Sequence, residues 1–86
     1  MGQFEKQIER LKRVPRDYTF KEAQAVLKHL GFELRNKGKT SGSRVQFYRV
    51  SDGKAILLHK PHPGNIMQEY SIRQLIERLE ELGEII

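Results

Sequence analysis

The sequence predicts a small α+β domain in which two amphipathic helices cover one face of a three-stranded antiparallel sheet. Apolar residues recur at helical spacing in residues 20–30 and 72–82, and the segment between them holds three short strand-like runs separated by turn residues. The chain has 86 residues, which is enough for one modest hydrophobic core. We therefore expect the order α-β-β-β-α, preceded by one extra helix.

The extra helix is predicted over residues 3–13. Its apolar side chains recur at i, i+4 and i+7. A proline then ends the helix, because proline disfavours helical geometry at the residue before it. The residues that carry this pattern are Phe4, Ile8, Leu11 and Pro15. We expect residues 1–18 to be an N-terminal helical extension and residues 19–86 to be the main domain.

The second helix is predicted over residues 20–30. Thr19 and Glu22 have the spacing of a capping box, in which each side chain accepts a hydrogen bond from the other residue's backbone N–H. Gly31 supplies the left-handed residue that ends a helix.

The last helix is predicted to open after a loop that runs to about Tyr70. Ser71 and Gln74 have the spacing of a second capping box, and Gly83 marks the end of the helix.

The strands are predicted over residues 32–39, 44–50 and 54–59, with turns at 40–43 and 51–53. The third strand is rich enough in apolar residues to be central or well covered. An antiparallel sheet covered on one face by helices leaves its other face to solvent or to a ligand.

Positive charge is concentrated on these strands. The net charge of the chain is +5, whereas residues 35–60 alone carry seven basic side chains and one acid, a surplus of +6. The seven are Arg35, Lys37, Lys39, Arg44, Arg49, Lys54 and Lys60, and the acid is Asp52. A basic face of this kind predicts a polyanionic ligand such as RNA.

Composition excludes several classes of function. The chain has no cysteine, so a disulfide framework, a thiolate metal cage and a cysteine nucleophile are excluded. The first residues lack the apolar run of a secretory signal, and no segment approaches the roughly 20 apolar residues that span a bilayer. We therefore expect a cytoplasmic protein.

Four segments carry a resemblance to a known family. They are Leu30-Gly31-Phe32, Ser41-Gly42-Ser43-Arg44 with the following Val-Gln-Phe, the strand and loop over 56–63, and Leu75-Ile76 in the last helix. Together they resemble HicA-type toxins, the ribonuclease half of a bacterial toxin–antitoxin pair, over residues 19–83. The resemblance implies a fold like that of double-stranded-RNA-binding domains. It also implies cleavage of messenger RNA without a known cofactor, and inhibition by a HicB antitoxin whose N-terminal domain covers the active face.

The family's usual signature is Gly-Ser-His, with the histidine taken as catalytic, whereas here Arg44 follows Gly42 and Ser43. A second family marker, a histidine at the end of the third strand, is matched by His59. Three interpretations follow from this departure. His59 or His62 transfers the proton in a variant subfamily, Arg44 alone gives weak electrostatic catalysis, or the chain binds RNA without cutting it.

Metal-free RNA cleavage needs a base for the 2′-hydroxyl proton, an acid for the leaving oxygen, and cations beside the phosphorane. We predict His59 and Arg44 as the catalytic residues. The predicted RNA-binding residues are Lys37, Lys39, Gly42, Ser43, Arg49, Lys60 and His62. We predict no metal site, because Pro61 separates His59 from His62 by an extended path and no cysteine or nearby carboxylate completes a ligand set.

Two other functions fit the same residues. One is an RNA-binding module without catalysis, and the other is a protein-interaction domain whose sheet docks an acidic partner.

Overall fold

The computed structural model describes residues 2–35, 44–61 and 64–85. The helices are α1 (Gln3–Lys12), α2 (Phe20–His29) and α3 (Glu69–Glu81), and the strands are β1 (Glu33–Leu34), β2 (Arg44–Arg49) and β3 (Lys54–His59). The strands form one antiparallel sheet in the order β1-β2-β3. The predicted α+β class, with an α-β-β-β-α core after an extra helix, is confirmed.

The second helix begins at the predicted residue and ends one residue before the predicted end, with Leu30 as its C-cap. The Glu22 N–H donates to Thr19 Oγ1 at 3.1 Å, and the Thr19 N–H donates to Glu22 Oε1 at 2.9 Å, which together form the capping box. Gly31 follows the helix with a φ of 96°, a conformation that favours glycine.

The predicted start of the last helix is wrong. α3 begins two residues before Ser71, whose side chain is buried inside the helix and caps nothing. The chain just before α3 is fixed by long-range pairing, since the Met67 N–H donates to the Tyr18 carbonyl at 2.8 Å and Thr19 bridges Ile66. Gln68 then becomes the N-cap, although its side chain makes no capping hydrogen bond.

The sheet has β2 at its centre, so a central position for the third strand is ruled out and only the alternative of a covered strand remains. β3 is an edge strand, and the Leu57 side chain on it is 58% exposed. Its two inward-facing residues, Ile56 and Leu58, are nevertheless buried.

The helices pack on one face of the sheet and enclose a single hydrophobic core. β2 and β3 contribute their alternate residues to it, and all three helices contribute apolar side chains. Its largest fully buried side chains include Tyr18, Phe32, Phe47, Leu11, Leu27, Ile56, Ile72, Leu75 and Leu79.

The N-terminal helix joins this core. Leu11 of α1 is fully buried, and the Arg10 Nε donates to Glu22 Oε2 at 2.6 Å. A second Arg10 nitrogen donates to Asp17 Oδ1 at 3.0 Å. Glu22 therefore both caps α2 and holds α1 against it.

Candidate nucleic-acid interface and active site

The face of the sheet that points away from the helices is set by the alternation of residues along the strands. On β2, Val45 and Phe47 are buried under the helices, so Arg44, Gln46 and Tyr48 lie on the opposite face. Residues that pair across an antiparallel ladder share a face. The partners of these three residues on β3 therefore lie there too, and so does Glu33 of β1, the partner of Tyr48. On the described strands the open face consists of Glu33, Arg44, Gln46, Tyr48, Ala55, Leu57 and His59.

Arg44 and His59 are direct partners in the register of β2 and β3. The Gln46 carbonyl accepts a hydrogen bond from the Arg35 N–H at 2.7 Å, so the backbone polar groups of Gln46 point toward β1 and away from β3. Backbone polar groups of residues two apart on a strand point the same way, so those of Arg44 also point toward β1. The backbones of Arg44 and His59 are therefore not hydrogen-bonded to each other. Such pairs have Cα atoms about 4.5 Å apart and the closest cross-strand side chains.

Both side chains are exposed. Within residues 2–35, 44–61 and 64–85, neither Arg44 nor His59 forms a side-chain hydrogen bond or an ion pair. The two residues predicted as catalytic are thus adjacent on the open face, with the donors of the guanidinium available to an anion.

Arg35 extends the open face past β1. Its guanidinium carbon lies 5.0 Å from the centroid of the Tyr48 ring, which is within the range of a cation–π interaction. From the sequence, Arg35 is assigned only to the basic surplus and is not predicted to bind RNA. The signal that finds it is strand pairing, because Arg35 lies opposite Gln46 in the continuing β1–β2 register.

Arg49, a predicted RNA-binding residue, lies on the helix-covered side of β2. Its Nη2 donates to Asp52 Oδ2 at 2.8 Å and to Glu84 Oε2 at 2.7 Å, and its Nη1 donates to the Leu30 carbonyl at 3.0 Å. The hydrogen bonds to Asp52 and then Glu84 raise the pKa of Arg49 further above its ordinary value. Its guanidinium also lies 4.6 Å from the centroid of the Phe32 ring. This side chain joins the hairpin to α2 and the C-terminal segment, and we leave it out of the proposed interface.

Lys60 follows β3 directly and is exposed. Five other residues predicted to bind RNA lie outside the described residues, namely Lys37, Lys39, Gly42, Ser43 and His62.

In the described part of the chain, no three histidine, aspartate or glutamate side chains are grouped so that they could hold a metal ion. A mostly apolar cavity lies on the helical side of the fold, between α1 and the C-terminal segment, with Phe4, Ile8 and Ile85 in its lining. None of the described helices has the length and apolar character needed to cross a bilayer.

Residues 20–83 match the family model described as the HicA toxin of bacterial toxin–antitoxin systems. The chain belongs to the HicA toxin family. The match includes both Arg44 and His59 and begins after α1, so the N-terminal helix is an addition to the matched region. Neither a curated protein nor a solved structure matches the chain.

Proposed function

We propose that this HicA-family protein is an endoribonuclease that binds messenger RNA on its open face and cleaves it with His59 and Arg44. The observation that carries the proposal is the pairing of these residues as exposed, adjacent side chains across β2 and β3.

In the proposed reaction, His59 takes the proton from a ribose 2′-hydroxyl, and the 2′-oxygen forms a bond to the neighbouring phosphorus. The bond from phosphorus to the 5′-oxygen breaks, and that oxygen takes a proton from solvent. Arg44 donates to two non-bridging phosphate oxygens and stabilises the charge that develops on them. The products are a 2′,3′-cyclic phosphate and a 5′-hydroxyl end.

Substrate binding in this proposal uses the cations around the pair. Arg35 stacks on Tyr48 of the open face, and Lys60 is exposed immediately after β3. Lys37, Lys39, Gly42, Ser43 and His62 are added from the sequence prediction as further RNA contacts. Since the chain belongs to a toxin–antitoxin family, we also propose that a HicB-like antitoxin silences it by covering this face.

The test is cleavage of RNA by purified protein under single-turnover conditions. His59→Ala is expected to slow cleavage by about 100-fold or more, the range that one general base contributes. Arg44→Ala is expected to slow cleavage and to weaken RNA binding. The matched control is Lys54→Ala, which removes an exposed cation from the same hairpin. By strand alternation Lys54 does not lie on the open face, so this change should leave the rate unchanged. RNA left intact by the parent protein at micromolar concentration, or cut equally fast by His59→Ala, would refute the proposal.

A second candidate function is RNA binding without cleavage. It is favoured by Arg44, which supplies a phosphate contact but no proton transfer at the position where the family usually has histidine. Salt-sensitive RNA binding with no cyclic-phosphate product would select this function.

A further inference from the structure

The outer edge of β3 offers unpaired backbone groups next to the proposed active site. β3 lies at the end of the strand order, and its six residues make it much longer than β1, the two-residue strand at the other edge. Long exposed edges are templates for pairing with another extended chain, and proteins usually block them.

The register identifies which backbone groups point outward. Gln46 directs its carbonyl to β1, so its partner Leu57 turns its N–H and C=O away from β2. The same parity applies two residues along, at His59. Neither residue's backbone is hydrogen-bonded to any other part of the chain that the structure describes.

One end of the edge is already blocked. Arg78 of α3 reaches the Ala55 carbonyl with two nitrogens, Nη2 at 3.1 Å and Nε at 3.3 Å. Because α3 is not part of the sheet, this contact independently confirms that the backbone carbonyl of Ala55 points away from β2. The backbone groups of Leu57 and His59, two and four residues further on, point the same way. The open part of the edge is thus confined to Leu57 and His59, and Pro61, which has no amide donor, ends it.

Charge and side chains indicate what fits the edge. β2 and β3 contain no acidic residue; His59 lies on the open part of the edge, Lys60 follows it in the sequence, and Arg44 pairs with His59 from β2. Leu57, which is 58% exposed, adds an apolar contact in the middle. An incoming strand that alternates acidic and apolar residues would match both features.

A second copy of the chain fits less well. Antiparallel pairing of two β3 edges about Leu57 would bring each Ala55, already bonded to Arg78, opposite the other copy's His59. It would also bring the basic residues of both hairpins together at a cost in charge repulsion.

We infer that a partner protein binds this chain by adding an extended acidic segment as a fourth strand at Leu57–His59. The bound strand lies directly beside His59, whose partner Arg44 is one strand further in, so its side chains obstruct the RNA site. The physiological meaning of this inference rests on the proposed function, because a strand that covers the nuclease site is a means of silencing it.

The experiment uses the full chain and three synthetic nine-residue peptides. One alternates valine with glutamate, one alternates valine with lysine, and one is the glutamate peptide with a central proline. The readout is hydrogen exchange of individual amides followed by NMR. With the glutamate peptide, exchange at the Leu57 and His59 amides should slow by about tenfold or more. Exchange at Ile56 and Leu58, whose amides already pair with β2, should not change.

The lysine and proline peptides should bind about tenfold more weakly than the glutamate peptide, since one lacks the charge and the other the continuous ladder. Leu57→Pro removes the outward N–H and is tolerated on an edge strand, so it should weaken peptide binding. Leu57→Ala keeps the N–H and should still show slowed exchange at His59. If Leu57→Pro does not fold, the exchange data on the parent chain decide alone.

Equal binding of the proline peptide, or binding without slowed exchange at Leu57 and His59, would overturn the inference and leave only charge attraction. Slowing that depends on protein concentration without peptide would instead assign the edge to a second copy. An RNA oligonucleotide that slows the Leu57 amide as strongly as the peptide would also overturn it. RNA cleavage is measured separately, so an inactive parent chain refutes the nuclease without affecting the peptide result.

Discussion

Arg44 and His59 face each other across β2 and β3 at a position where the two backbones are not hydrogen-bonded to each other, which is the closest cross-strand arrangement of side chains in an antiparallel sheet. A guanidinium and an imidazole can therefore contact one phosphodiester together. The sheet builds this site from residues fifteen positions apart in the sequence.

Arg44→His places after Gly42 and Ser43 the histidine that the resemblance to the family leads us to expect there. This change places two imidazoles opposite each other, so one can act as base and the other as acid. We expect cleavage to rise by about tenfold or more and to acquire a bell-shaped pH dependence. Single-turnover rates across a pH series measure both effects. A cleavage rate below that of the parent at every pH would contradict the proposed geometry.

RNA binding should depend steeply on salt. If Arg35, Lys37, Lys39, Arg44 and Lys60 each meet one phosphate of a single strand, the slope of log K against log salt should be about −3.5. Arg44→Ala should reduce the slope by about 0.7. Fluorescence anisotropy with a labelled oligonucleotide measures the slope, and Lys54→Ala serves as the control that keeps it. A slope that Arg44→Ala leaves unaltered would place the RNA elsewhere.

Gly31→Ala should destabilise the fold through two effects. The residue has a φ of 96°, and an added Cβ would lie 3.2 Å from the Arg49 Cδ. The backbone conformation alone costs a non-glycine residue about 1–2 kcal/mol, and displacement of the hydrogen-bonded Arg49 adds to it. Gly64→Ala is the control, because Gly64 has a φ of 87° and nothing within 4 Å of the added atom. Chemical denaturation should show a larger decrease in the free energy of unfolding for Gly31→Ala than for Gly64→Ala. Equal decreases would mean that the Arg49 side chain moves aside at no cost.

Acid should weaken the contact between α1 and α2. The hydrogen bond from Arg10 lowers the pKa of Glu22 below its ordinary value of 4.5. The folded state thus holds the Glu22 proton less tightly than the unfolded chain does. Its contribution to the free energy of unfolding is fully present above pH 4.5 and is lost as the pH falls through the lower folded pKa.

We therefore expect Glu22→Gln to be less stable than the parent at neutral pH, with the difference shrinking as the pH falls below 4.5 and through the lower folded pKa. Urea denaturation across this range measures it. Glu69→Gln, which removes an exposed partner of Arg73, should differ little from the parent throughout. A Glu22→Gln deficit that is constant with pH would show that the carboxylate charge is not what holds the helices together.

Tyr18→Phe should stabilise the protein. Tyr18 is 1% exposed, and its hydroxyl is buried without a hydrogen-bond partner among the described residues. Burial of this group also raises the pKa of Tyr18 above its ordinary value. Removing an unsatisfied hydroxyl should raise the free energy of unfolding by about 1 kcal/mol, measurable as a higher Tm. Tyr70→Phe, at a 52% exposed tyrosine, should have no effect, and a loss of stability in Tyr18→Phe would reveal a partner for the hydroxyl.

Local interactions were predictable from the sequence. The capping box of Thr19 and Glu22 and the left-handed Gly31 act within a few residues of the helix ends they define, so α2 agrees with its predicted bounds to within one residue. The alternation of β2 and β3 likewise predicts which side chains share a face, because the period of a strand is a property of its own backbone. The sequence by itself therefore determined the fold class and the placing of Arg44 and His59 on strands.

Only the tertiary structure decided the features that depend on residues distant in the chain. α3 starts early because Tyr18 and Thr19 hold the segment before it. Alternation along β2 puts Arg49 on the helix-covered side, and its ion pair there is with Glu84, 35 residues away. The edge position of β3 and the pairing of Arg44 with His59 follow from strand order and register. Hydrogen bonds, an ion pair and strand pairing between separate elements determine these features.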